Sequence, residues 1–189
     1  VMISHYNLVE NVKGVENFAP FASWWKSLSF LPLNHVYERM LCYLYLKNGI
    51  SVYYAESLET IADNLKEVHP NIFVTVPRLL EKVYEKIVTK GTELKGIKKL
   101  LFFWALNLGL RFERNGANGW WYETQLKLAN KLIFSKWREA LGNNITCIVS
   151  GGAALQPRLA RVFGAANILI LEGYGLTETS PVTHVNPLH

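Results

Sequence analysis

Two short glycine-rich stretches hold the residue types best suited to chemistry. Ser150-Gly151-Gly152-Ala153-Ala154 follows one apolar run, and Glu172-Gly173-Tyr174-Gly175-Leu176-Thr177-Glu178-Thr179 follows another. Glycine just after a strand lets backbone approach a flat ligand closely and permits positive φ. Tyr174, between two glycines, can present its ring to a nucleobase. Thr177 and Glu178 add a hydroxyl and a carboxylate, a pair suited to phosphate and Mg²⁺. Either stretch alone reads as a turn. Both together, each after a strand, point to a ligand site beyond the carboxyl ends of parallel strands. No Cys/His spacing fits zinc, and no Gly-x-Ser-x-Gly elbow is present.

The elements that must position these stretches alternate. Ser4 caps a helix predicted from His5 to about Trp25. Ser29 to Leu33 reads as a short strand. Asn34 can cap a helix from His35 to about Lys47, which Gly49 stops. Ile50 to Tyr54 is β-branched and aromatic, hence a strand. Ser57 caps a helix to Val68, with Leu58, Ile61, Leu65 and Val68 at helical spacing. Asn71 to Val76 is a buried strand, and Pro77 opens the next helix. Lys95 to Arg138 is helical, interrupted around Asn115 to Gly119. Ile145 to Ser150, Pro157 to Phe163 and Ile168 to Glu172 complete the pattern as strand, helix and strand. This alternation predicts an α/β fold: a mostly parallel sheet with helices on both faces and a helical excursion at about 91–140.

Composition narrows the class. The chain has 189 residues, 50% hydrophobic and 19% charged, which excludes a disordered tail. Cys42 and Cys147 sit in apolar runs and read as buried hydrophobes, compatible with a reducing cytoplasm. The triplet Asn144-Ile145-Thr146 is read as a chance match to a glycosylation site. No apolar run reaches the roughly 18 residues that span a bilayer. The net charge is +5, and the excess lies in the middle: residues 78–99 carry 7 basic and 3 acidic groups, and residues 100–149 carry 6 and 3. That charge flanks Leu100–Leu110 and Trp120-Trp121-Tyr122, so residues 95–122 are a candidate peripheral membrane contact. No aromatic-basic signature points to nucleic acid.

The residues also carry a family resemblance. Tyr174-Gly175-Leu176-Thr177-Glu178-Thr179 resembles the signature of adenylate-forming acyl-CoA synthetases, and Ser150-Gly151-Gly152-Ala153 resembles their adenine-side loop. Leu31-Pro32-Leu33-Asn34-His35-Val36-Tyr37-Glu38-Arg39 is similar to their segment around a histidine near the acyl site. Val74 to Val83 resembles the next helix entry, and Val1 to His5 resembles the segment just after their phosphate loop. The Glu-Arg after His35 and the basic excursion most resemble the long-chain fatty acid members.

The resemblance implies an enzyme that activates a fatty acid with ATP and Mg²⁺ to an acyl-adenylate and passes the acyl group to coenzyme A. It implies that Thr177 binds the α-phosphate, Glu178 the Mg²⁺, and His35 closes the acyl pocket. Gly151, Gly152, Ala153, Glu172, Gly173, Tyr174 and Gly175 would line the nucleotide. It further implies that the chain is the middle of a large N-terminal domain, with the phosphate loop before Val1 and a mobile domain after His189. The chain by itself is then expected to be inactive and open to self-association. The alternatives are a slice of an amino-acid- or aryl-acid-activating enzyme, or a non-catalytic membrane or interaction module.

Overall fold

The structure is a computed structural model that describes residues 1–188; His189 falls outside them. Six strands form one sheet: β1 (Lys26–Ser29), β2 (Ser51–Tyr54), β3 (Ile72–Thr75), β4 (Cys147–Ser150), β5 (Ile170–Gly175) and β6 (Val182–Val185). Their order is β2-β1-β3-β4-β5-β6. The first five run parallel, and β6 pairs antiparallel with β5. Central strands are buried along their whole length, as parallel strands covered on both faces must be.

Two helices cover one face: α1 (His5–Val15) and α2 (Val36–Lys47). They pack Leu8, Val12, Met40, Leu41, Leu44 and Tyr45 against Ile72, Val74, Val149 and Leu171. The other face carries α3 (Ile61–Val68), α4 (Pro77–Glu93), α5 (Gly96–Leu110), α6 (Trp120–Ala129), α7 (Ser135–Ala140) and α8 (Pro157–Ala165). The predicted excursion is therefore real, and α4 precedes it up to Glu93. A π-helical turn at Asn130–Phe134 joins α6 to α7. There Arg138 donates to the Asn130 side chain at 2.7 Å and to the Ala166 carbonyl at 2.6 Å, while Asn130 donates to Ala165 at 2.8 Å. The free carbonyls at the end of α8 are thus satisfied from the excursion.

Several boundaries differ from expectation, each for a local reason. α1 stops at Val15, and Phe18, Phe21 and Trp25 instead form an edge-to-face aromatic cluster at helix-like spacing. β1 is Lys26–Ser29 rather than Ser29–Leu33, because two buried serines occupy a central strand. His35, not Asn34, holds the cap position of α2 and makes no side-chain capping bond. Ser57 and Thr60 bond each other in a turn, and α3 starts only at Ile61. β5 runs on to Gly175, so the first half of the second glycine stretch is strand.

Candidate active site

The glycine stretches end on one side of the sheet, as parallel topology requires. Gly151 N donates to the Thr75 carbonyl at 3.1 Å, which fixes the first stretch to the end of β3. The second stretch is held by β6. A Cβ on Gly175 would overlap the Pro181 carbonyl, so glycine is obligatory there. Thr179 then builds the turn: its hydroxyl accepts from Leu176 N at 2.9 Å and faces the Pro181 carbonyl at 2.7 Å. Asn11 of α1 clamps β6 from outside, bonding both Val182 O at 2.6 Å and Val182 N at 3.2 Å.

Between these stretches and the first turn of α2 lies a cavity of about 500 Å³. That size is within the range of small-molecule sites. His35, Tyr37 and Glu38 line it from α2, and Gly152 and Val76 from the next strand ends. Gly173, Tyr174, Gly175, Thr177 and Glu178 line the opposite side. Thr177 and Glu178 are exposed on the short turn after β5, and Tyr174 is 64% exposed beside His184. Gly152 has φ +80°, and only Val76 comes near where a Cβ would stand. Backbone there is open to a ligand.

Three predicted site residues stand apart from the cavity wall. Ala153 is exposed beyond it. Glu172 turns to the other face, where its carboxylate accepts from Leu155 N at 3.4 Å. Gly151 is buried, and its missing side chain makes room for a phenol: a Cβ would stand 2.9 Å from the Tyr37 Cζ and hydroxyl.

Tyr37 and Glu38 are the site residues that motif reasoning passed over. The signal was available in helical spacing, since Tyr37, Leu41 and Leu44 fall on one inward stripe, and Glu38 and Tyr45 on its neighbour. Burial pushes the Tyr37 hydroxyl well above its ordinary value, and the neighbouring Glu38 adds to this. Glu38 is only 2% exposed, and burial raises its carboxyl to about 6, partly opposed by a hydrogen bond from Ser29. Among the described residues no cluster of three His, Cys, Asp or Glu could hold a metal by itself.

With this geometry in view, comparison with known proteins is decisive. The family model for AMP-binding enzymes matches residues 1–189. The chain belongs to the AMP-binding enzymes. It is 32% identical over 188 residues to the long-chain-fatty-acid–CoA ligase ACSBG2 of Homo sapiens, covering 95% of this chain and 28% of that protein. It is 32% identical over 187 residues to the peroxisomal long chain acyl-CoA synthetase 6 of Arabidopsis thaliana, covering 96% of this chain and 25% of that protein. The chain thus spans about a quarter of the length of these relatives. Among solved structures, a long-chain-fatty-acid–CoA ligase (FadD1) from Archaeoglobus fulgidus superposes with TM-score 0.64 at 15% identity, over 99% of this chain and 30% of that one. That likeness establishes the shared fold of the N-terminal domain of adenylate-forming enzymes.

Proposed function

We propose that the protein containing this chain activates a long-chain fatty acid with ATP and passes the acyl group to coenzyme A. The observation that carries this reading is a single cavity with two unlike sides. One side offers Tyr174, Thr177 and Glu178; the other is mainly aliphatic, with Leu31, Pro32, Val36 and Val76 beside His35, Tyr37 and Glu38. In the first step a carboxylate oxygen bonds to the α-phosphorus as the bond to pyrophosphate breaks. In the second, the coenzyme A sulfur bonds to the acyl carbon and AMP leaves with the electron pair.

A carboxylate is a weak nucleophile, so positioning and charge neutralisation must lower the barrier. Tyr174 stacks on the base and Thr177 donates to the α-phosphate. Glu178 is an exposed carboxylate facing the cavity, and Mg²⁺ bound with phosphates needs only one or two such groups. The residues therefore fit the ion, with Glu178 to hold it; when bound it neutralises phosphate charge. His35 lies at the mouth of the apolar side.

Glu38 favours a second reading, since an acidic residue in the pocket suits an amino acid substrate. Its burial works against that, because burial favours the neutral carboxyl over the charged partner an ammonium group needs and outweighs the opposing Ser29 bond. Pyrophosphate release by the full-length protein decides between them. Release with palmitate but with no amino acid is expected; the reverse would overturn the long-chain assignment.

The excursion supports a membrane source for the acid. Bonds from Tyr122 to Leu108 and from Trp104 to Gln125 show that α5 and α6 lie antiparallel. Ile97 and Leu100, in the helical row of Trp104, therefore stand level with Leu128 and Leu132, in the row of Gln125. All four are exposed, and so are Lys98, Lys99, Lys127 and Lys131 around them. The exposed Trp120 and Trp121 lie at the opposite end of the pair. A basic rim around apolar side chains suits an anionic lipid surface. Changing the four lysines to Glu should abolish co-sedimentation of the full-length protein with phosphatidylserine vesicles. Unaltered sedimentation would remove this contact from the proposal.

A further inference from the structure

We propose that the Tyr37 hydroxyl is the hydrogen-bond donor that positions the substrate carboxyl at the junction of the two glycine stretches. This rests on the adenylation reading above and adds to it a specific positioning residue.

The tyrosine ring is fixed by packing. It lies on the inward stripe of α2 and fills the space left by Gly151, with its hydroxyl 3.7 Å from where a Cβ on Gly173 would stand. The hydroxyl is buried and has no hydrogen-bond partner among the described residues. A buried polar group without a partner forfeits the bonds it made to water, and native proteins seldom tolerate that without a reason. Phenylalanine would fill the same space at Gly151, pack against the same core and carry no such loss. The Ser27 and Ser150 hydroxyls also lack partners among the described residues, but of the three residues Tyr37 is the one that borders the cavity, so an acceptor arriving there can match its hydroxyl.

The walls of the cavity indicate where that acceptor comes from. Tyr37 borders the cavity together with His35, Thr177 and Glu178. It belongs to the α2 side, beside Leu31, Pro32 and Val36, whose apolar side chains suit an aliphatic chain better than a nucleotide phosphate. Burial keeps the phenol protonated through the working pH range, so it acts only as a donor toward an anion. The anionic acceptor that an acyl chain brings to this point is its carboxyl. Once the adenylate has formed, the remaining carbonyl oxygen can keep the same bond.

Tyr37→Phe in the full-length protein tests this by signs that a purely structural hydroxyl cannot produce. Without ligand, the variant should melt at the same temperature as the parent or higher, because an unpartnered group has been removed. With a non-hydrolysable acyl-sulfamoyl-adenosine, its melting shift should fall short of the parent's. With AMP alone, the shift should be unchanged. The KM for fatty acid should rise about tenfold while that for ATP stays within twofold. Equal acyl-ligand shifts and equal fatty acid KM values would overturn the proposal. So would a lower melting temperature without ligand, which would mark a structural hydroxyl. Loss of the AMP shift would place the donor on the nucleotide and overturn the carboxyl assignment. Failure of the parent itself to respond to the acyl ligand would instead refute the adenylation reading on which the proposal stands.

Discussion

The two faces of the sheet are built to different standards. Against α3 to α8, Tyr122 donates to Leu108, and Arg138 and Asn130 satisfy the end of α8, which leaves the Ser150 hydroxyl at the end of β4 as the unmatched buried side chain among the described residues of that face. Against α1 and α2 the core contains Ser27 and Tyr37 hydroxyls without partners, and a carboxyl, Glu38, faced by one serine. Unmatched groups lower stability, and on the α1–α2 side Tyr37 and Glu38 are buried polar residues that also border the cavity, where the proposed ligand would meet them. The lesson is that one sheet can carry a conventional core on one face and the cavity proposed as the active site on the other.

This contrast can be broken from either side. The largest effect is expected on the α3–α8 face: Phe134→Ala removes a fully buried ring packed on Trp137 and near Gly109. It should cost about 3–5 kcal/mol in chemical denaturation of the full-length protein, with little change in KM of whatever remains folded. On the opposite side of the comparison, Glu178→Gln should lower the rate of pyrophosphate release about 10²–10³-fold with an unchanged melting temperature. A large loss of stability there would erase the distinction.

Glu38→Gln gives a pH-dependent test. Burial raises the Glu38 carboxyl from 4.5 to about 6, so the folded state holds its proton more tightly than the unfolded chain. The stability this contributes is fully present below pH 4.5 and is lost as pH rises through 6. The variant should therefore be more stable than the parent at pH 8, by up to about 2 kcal/mol from 1.36 kcal/mol per unit. The difference should vanish below pH 4.5, and a flat difference across this range would contradict the assigned burial. The smallest effect belongs to Gly152→Ala: φ +80° strains an L-residue by about 1 kcal/mol, visible as a small drop in melting temperature.

The general architecture was legible because parallel strands read as unbroken apolar runs and Pro77 and Pro157 mark helix starts. The Ser4 cap was legible from its residue type, and the structure adds the reciprocal bond from the Ser4 N–H to the Asn7 side chain that completes a capping box. Phe18 and Phe21 misled because aromatic residues three or four apart look helical whether they line a helix or cluster in a turn. Ser27 and Ser29 hid β1, since burial of a serine is decided by its surroundings in the fold: Ser29 meets Glu38, and Ser27 is buried without a partner among the described residues. β6 was invisible as a strand because an edge strand with exposed Thr183 and His184 has no continuous apolar run. At the site, the signature residues were readable one by one, and the helix register pointed Tyr37 inward. That its phenol fills the space at Gly151 could emerge only in three dimensions.

The position of the excursion has a kinetic consequence. β3 and β4 are hydrogen-bonded neighbours at the centre of the sheet, yet residues 76–146 separate them along the chain. Closing so long a segment costs little more at equilibrium than closing a short one, about 0.6 kcal/mol per doubling. The rate is affected far more, because non-local parallel pairings form slowly. Helices α4 to α7 shorten that search if they associate with one another first, bringing the ends of β3 and β4 together. The order of assembly is then helices before sheet, and the ligand cavity, which needs β4 and β5 in register, is among the last features to form.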